Sequence, residues 1–294
     1  MSRRVRRNLV AYLMLLPTLV LLGVFTVYPI INSFMISFYN WDMMSPIKRF
    51  VGLQNYQHIL VDPLFRRAFA NTILYVVCFV PSVLLLGLLA AVLLNAKIRF
   101  RAAFRTTLFL PYITSLAATG IVWSRIFNGQ YGLLNYLLSS LGLHGVDWLN
   151  DARYTMFNLV LFGVRQNVGY VAVVFLAGLQ NISREYYESA NVDGASAWRR
   201  FRYITWPLLS PTSYFLLLLT TIEAFKVFLQ VYVLYGESPG PNDSGLTLLY
   251  YMFNEGFSDY KMGYACAAAY VLFLIIFIFT LLQMSLSRRV NYSA

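Results

Sequence analysis

An all-α integral membrane protein with six transmembrane helices and both termini in the cytoplasm is the fold class this sequence predicts, on three observations. Of 294 residues, 59% are hydrophobic and 12% charged, and mean hydropathy is +0.61, whereas soluble domains carry about 25% charged residues. Six apolar stretches reach the roughly 20 residues that a spanning helix needs. The Lys/Arg residues are unevenly shared between alternate loops. The N-terminal tail, the 96–105 link, the central loop and the C-terminal tail hold 14, and the remaining loops with the far end of the third stretch hold seven. The positive-inside rule then places both termini and the central loop in the cytoplasm.

The same composition excludes several functions. Cys78 and Cys266 both lie in apolar stretches, so no disulfide framework or metal site is expected. The two histidines, His58 and His144, fall in loops. Net charge is +11, but the basic residues cluster at span ends, which argues against nucleic acid as a partner. No G-x-x-x-x-G-K-[ST] loop is present to cradle a nucleotide phosphate, so an energy source must come from elsewhere.

Span 1 runs from Leu9 to Ile31 without a charge, after Arg3, Arg4, Arg6 and Arg7. It exceeds the roughly 7–15 apolar residues of a signal-peptide core and lacks a small-residue cleavage site, so it reads as a span. Residues 32–68 form a mixed loop, in which Val51-Gly52-Leu53-Gln54-Asn55-Tyr56 reads as a turn before a short helix. Span 2 covers Phe69–Asn95, and span 3 covers Arg105–Phe127 with Pro111 and Gly120 inside. An internal proline is tolerated in a membrane helix where neighbours satisfy the freed carbonyl. Residues 128–153 form a second polar loop. Span 4 covers Met156–Gln180, interrupted by Arg165-Gln166-Asn167, and span 5 covers Trp206–Tyr235, interrupted by Glu223 and Lys226. Residues 236–262 form a third loop, and span 6 covers Gly263–Leu286, with Arg288 and Arg289 following. The organisation expected is an N-terminal tail, span and loop over 1–68, a five-span core over 69–287 and a cytoplasmic tail over 288–294.

The central segment 181–211 is the longest polar run in the second half of the chain. Ser183 stands where it can cap a helix, Asp193-Gly194 breaks that helix, and Trp198, Phe201 and Tyr203 then alternate with Arg199, Arg200 and Arg202 as in a helix lying at a membrane surface. The residues predict two short helices joined at a glycine. The segment also reads Glu188-Ser189-Ala190, three residues, Gly194, nine residues, then Ile204-Thr205-Trp206-Pro207. This resembles the EAA loop of ABC importer permeases, with Ser189 and Trp206 in place of an alanine and a leucine and with Asp193-Gly194-Ala195 in the common form. Leu110-Pro111-Tyr112, Leu179-Gln180-Asn181-Ile182, Pro239-Gly240-Pro241 with Thr247, and Gly263-Tyr264-Ala265 extend the resemblance over nearly the whole chain. They point to the carbohydrate-uptake branch, relatives of the maltose and glycerol-3-phosphate permeases.

That resemblance implies the type I ABC importer permease fold and a set of partners. These are a second homologous permease subunit, two ATPase subunits that hold ATP and Mg, an extracytoplasmic solute-binding protein meeting loops 32–68, 128–153 and 236–262, a sugar substrate and the lipid bilayer. No catalysis and no cofactor of its own are expected for this chain. Glu188, Ser189, Ala190, Asp193, Gly194, Ala195 and Arg199 are the expected ATPase-coupling residues.

Intramembrane charges are costly and face a protein interior or wet cavity. Glu223 and Lys226 stand at i, i+3 on one helix face, and on a continuous span Gln230 carries that face one turn on. The pair reads either as a structural ion pair or as part of a substrate pathway. In the maltose-type relatives the matching part of span 5 lines the sugar site, which implicates Ile222, Phe225, Lys226 and Leu229. Asn167, Tyr170 and Tyr232 add hydrogen-bonding and stacking groups. Arg165 and Lys226 set against Glu223 leave a surplus positive charge, from which an anionic sugar such as a uronate oligosaccharide is expected. The alternative function is a stand-alone secondary transporter coupled to an ion gradient. An internal inverted repeat would favour it, and none is visible.

Overall fold

The computed structural model describes residues 3–96 and 99–287, with side chains from Tyr12 to Ser285 outside 97–98. The basic residues Arg3, Arg4, Arg6, Arg7, Lys97, Arg288 and Arg289 that enter the charge asymmetry lie outside the described side chains, as does the 288–294 tail. The chain divides into two units, one formed by residues up to Asp62 with Met252–Phe273, the other by Pro63–Tyr251 with the residues from Leu274 on.

In the first unit, α1 (Arg3–Leu22) runs through a five-residue π turn at Gly23–Val27 into α2 (Tyr28–Ile36). Pro29 in α2 has no N–H to donate one turn back, so the widened turn falls just before it. The apolar run Tyr12–Ile36 is long enough to span and buries none of its apolar window within the chain, which leaves that surface for lipid or a partner. A two-residue hairpin follows, pairing Tyr39 with Phe50 and Asn40 with Arg49. Gly52, at φ +57°, turns the chain into α3 (Gln54–Val61), as the Val51–Tyr56 phrase predicts. Asn55 locks this turn by donating to the carbonyls of Ser37 and Tyr39 at 2.8 and 3.1 Å. Lys261, just outside the last span, pairs with the largely buried Glu255 at 3.0 Å. That hydrogen bond raises the Lys261 ammonium above its usual value of 10.5.

The second unit is built on α4 (Pro63–Asn95) and α8 (Ala152–Gln180). Small residues let the two helices approach closely, as membrane helices require where burial alone gives little drive. A side chain at Gly163 would strike the Tyr75 hydroxyl at 2.3 Å, and Tyr75 in turn stacks on Phe79 with ring centres 5.1 Å apart. Leu159, Phe162, Val171 and Ala172 of α8 are fully buried. Asp151 caps α8 by accepting from the Arg153 N–H at 2.9 Å, and the Arg153 guanidinium holds the Asp151 carboxyl below the usual range. Arg165-Gln166-Asn167 does not interrupt this helix, because a polar side chain on a helix costs no backbone hydrogen bond.

Span 3 departs from the expected single helix. It is α5 (Arg101–Ile113) and α6 (Leu116–Ile126), bent by 100° at a two-residue break. Pro111 is accommodated inside α5, and the helix ends one turn later, where Thr114 turns extended at ψ 150°. The Pro111 carbonyl left at that end accepts from the Thr114 hydroxyl at 2.8 Å and from the Gln166 side chain of α8. Residues 128–153 carry a helix of their own, α7 (Leu133–Ser140).

Span 5 is also broken. After α9 (Arg184–Val192) and α10 (Ala197–Arg200), a π turn at Phe201–Thr205 leads into α11 (Trp206–Leu208), then a 63° bend precedes α12 (Ser210–Phe225). Lys226–Phe228 leave the helix, with Phe228 at φ −146°, and α13 (Leu229–Leu234) follows. The expected polar loop 236–262 contains α14 (Leu248–Phe253), whose Leu248, Tyr250 and Tyr251 are buried. The last helix, α15 (Met262–Ser287), is unbroken. Among the described residues four helices are long and apolar enough to span, and six if each bent pair counts as one span.

Candidate functional site

The break in span 5 opens onto a cavity of about 330 Å³. Glu223 and Ala224 come from the end of α12, Lys226 and Phe228 from the unwound residues, and Leu229 and Gln230 from the start of α13. Tyr75 and Phe79 of α4, Leu116 of α6, Asn167 of α8 and Leu249 of α14 complete the wall. The Lys226 ammonium lies 2.7 Å from the Glu223 carboxylate, with the two side chains 44% and 67% exposed. A pair so exposed, joining two residues of one helix end, fastens no helix to another and adds little to stability. The pair stands at the cavity wall with its two charges joined to each other. Asn167 donates its amide to the Gly163 carbonyl at 2.9 Å.

The structure thus collects five of the expected pathway residues, Asn167, Glu223, Lys226, Leu229 and Gln230, and leaves the others outside the wall. Gln230 reaches it by a different route from the one expected. The helix stops at Phe225, and the 226–228 break turns α13 back onto the same cavity. Phe225 is fully buried against Phe279, ring centres 5.0 Å apart, so it packs the core and presents no face to a sugar. Ile222 is half-buried and Tyr232 packs on Phe228 and Tyr250. Tyr170 stacks on Tyr112 at 4.7 Å. Arg165 is exposed, two residues and so about 200° around α8 from Asn167. Without Arg165, the charged groups lining the cavity are Glu223 and Lys226, which balance. The expected surplus positive charge is therefore not a property of this wall. Tyr75, Phe79, Leu116, Phe228 and Leu249 were not legible as wall residues. Only Tyr75, a hydroxyl inside a long apolar helix, carried a signal.

The 181–211 segment folds as predicted into two helices meeting at Gly194, which sits at φ +71° with nothing within 4 Å of where a side chain would project. Ser183 caps α9 and Ser196 caps α10. Two side-chain bonds brace the elbow: Tyr187 to Thr205 at 3.0 Å, and Arg200 to Asn191. Of the expected coupling residues, Glu188, Ser189, Asp193, Gly194 and Arg199 are exposed, Ala195 is half-buried and Ala190 packs inward. The bracing role of Arg200 was not distinguishable in sequence from its neighbours Arg199 and Arg202. Val192, Trp198 and Tyr203 are 89%, 71% and 75% exposed.

Residues 64–292 match the family model described as binding-protein-dependent transport system inner membrane component. The arabinooligosaccharides transport system permease protein of Halalkalibacterium halodurans is 35% identical over 96% of this chain and 88% of its own length. The trehalose/maltose transport system permease protein of Thermococcus litoralis is 34% identical over 96% of this chain and 95% of its own length. A chain of a bacterial alginate ABC transporter, crystallised with its alginate pentasaccharide-bound periplasmic protein, superposes with a TM-score of 0.87 at 23% identity, covering 99% of this chain and 98% of that one. The fold is thus the type I ABC importer permease fold. The polar-lined break in span 5, the braced elbow at Gly194 and these similarities agree that this multi-pass membrane chain belongs to the binding-protein-dependent transport system inner membrane components, in their carbohydrate-uptake branch.

Proposed function

We propose that the chain is one of two permease subunits of an importer that passes a sugar or oligosaccharide into the cytoplasm by ATP-driven alternating access. Both termini and the 181–211 elbow would face the cytoplasm, as the Lys/Arg distribution requires. One of two ATPase subunits, which hold ATP and Mg, would dock on Glu188, Ser189, Asp193, Gly194 and Arg199, and the other on the matching loop of the second permease. A solute-binding protein would deliver substrate on the opposite side, and residues 69–287 would form the permease core. The observation that carries this reading is succession along the chain: the braced elbow at 184–205 is followed by the short α11, a 63° bend and α12, and α12 ends at the cavity wall. A movement of the elbow would therefore reach Glu223 and Lys226 through α11, the bend and α12.

The wall supports a neutral sugar as the substrate class. A charge-balanced pair beside Asn167, Gln230 and the half-buried ring of Phe228 suits the hydroxyl groups and apolar face of a neutral sugar. The relatives bear names that include arabinooligosaccharides, lactose and trehalose/maltose, and also the sulfonate-bearing sulfoquinovosyl glycerol. An anionic sugar such as a uronate oligosaccharide would need Lys226 to leave Glu223. Uptake of a labelled neutral trisaccharide and of a trigalacturonate separates the two readings. The parent is expected to take up the neutral trisaccharide and not the trigalacturonate, and uptake of the acidic sugar by the parent that is lost in Lys226→Met would restore the anionic substrate. The test of the whole proposal is a pull-down of the tagged chain from mild detergent. A Walker-motif ATPase should co-purify, and Gly194→Pro should release it, because proline cannot take a positive φ. A chain that comes down alone and transports without ATP would instead be the ion-coupled transporter, which the permease names of the relatives do not favour.

A further inference from the structure

The carbonyl of Val227 lies in the break between α12 and α13, where no helical N–H serves it, and Val227 is 1% exposed. Its partner comes from twenty residues away: the Thr247 hydroxyl donates to it at 2.6 Å, and Thr247 is itself fully buried. Lys226 and Phe228, on either side of Val227, and Leu249, two residues beyond Thr247, all line the cavity. One hydrogen bond therefore staples two segments of the same wall. The residues before Thr247 are in turn tied to the scaffold helices. Asn71 of α4 donates to the carbonyls of Asp243 and Leu246 at 3.1 and 3.0 Å. Ser244 donates to Thr155 of α8 at 2.6 Å, and the Leu248 N–H donates to Thr72 at 2.9 Å.

We propose that Thr247 is a positioning residue: its hydroxyl latches the unwound stretch of span 5 to the 239–247 strap, so that the placement of the strap sets the placement of Lys226 and Gln230 on the cavity wall. A buried carbonyl without a donor is costly enough to drive rearrangement, so the break holds its shape only while the strap supplies Thr247. Displacement of the strap would withdraw the hydroxyl and release the wall. The role assigned to the latch rests on the proposal that this cavity carries the sugar.

The test is thiol labelling, which needs neither substrate nor ATPase, so the latch and the sugar pathway can fail separately. The background is the full chain in membranes with Cys78→Ala and Cys266→Ala. Gln230→Cys reports the wall, Asn95→Cys reports a distant exposed helix end, and the probe is a water-soluble maleimide. Thr247→Val is expected to raise labelling at the wall reporter by about tenfold. Thr247→Ser, which keeps the hydroxyl, should return it to the parent rate, and the distant reporter should not change. Asn71→Leu, which frees the strap and leaves Thr247 intact, should act in the same direction, and it decides the matter if Thr247→Val does not fold. Parent-like labelling at the wall in both Thr247→Val and Asn71→Leu overturns the latch. So does failure of serine to rescue, or an equal rise at both reporters.

Discussion

Replacing Gly169 of α8 with alanine should destabilise the chain far more than one added methyl group suggests. The new carbon would lie 2.0 Å from the Leu108 carbonyl oxygen, 2.6 Å from its carbon and 2.9 Å from the Phe109 Cα, whereas non-bonded atoms rest at about 3.5 Å or more. These neighbours are α5 backbone, so no side chain can rotate away. The helix itself must retreat. That retreat strains the bond from Gln166 to the Pro111 carbonyl and the Tyr112–Tyr170 stack, both of which join α5 to α8. Overpacking costs about 1–3 kcal/mol, and a backbone clash belongs at the top of that range. The loosened hydrogen bond adds about 1 kcal/mol. At about 2–4 °C per kcal/mol for a chain of this size, the midpoint should fall by roughly 8–16 °C. The assay is loss of the monodisperse peak after heating in detergent. Gly23→Ala is the control: the same chemical change is made where nothing lies within 4 Å, and the midpoint should move by no more than about 2 °C. If Gly169→Ala melted within 2 °C of Gly23→Ala, the close crossing of α5 and α8 would be refuted.

Gly194→Ala should fold normally, because the space is open, and should cost only the ~1–2 kcal/mol of a left-handed residue. ATPase co-purification is then expected to weaken, in contrast to its loss with Gly194→Pro. Arg165→Gln should leave sugar uptake within about twofold of the parent, while Asn167→Leu and Gln230→Leu should each raise the KM for uptake by about tenfold, a loss of roughly one buried hydrogen bond. Lys261→Met should lower the melting midpoint by leaving Glu255 without the partner at 3.0 Å. The Lys261 value is raised in the folded chain, so its contribution is complete below the usual lysine value and is lost as pH climbs through the raised one. The gap between parent and variant should therefore be constant from pH 7 to about 10 and close above that.

The elements that were legible in the sequence are those whose causes are local. Span 4 could be read from its apolar run, the turn at Gly52 and the elbow at Gly194 from residues that suit a positive φ, and the cap at Ser183 from a short side chain ahead of a helix. The lengths of the apolar stretches show that the chain crosses a membrane, and the 188–207 spacing shows what it resembles. The two broken spans and the cavity needed the tertiary structure. Pro111 by itself does not say whether a helix kinks, ends or continues. Here it ends because Gln166, which is 55 residues away, can serve the stranded carbonyl. Nothing near Val227 shows that the helix stops there, because the hydroxyl that makes the break affordable is on Thr247. The partition of the charged residues followed from the same cause. Arg165 and Asn167 are near neighbours in sequence but lie on opposite faces of α8, while Gln230 joins Glu223 and Lys226 across a turn of the chain and not along one helix face. Composition and spacing decide which segments enter the membrane. Which side chains share a cavity is decided by the distant groups that satisfy each interrupted backbone.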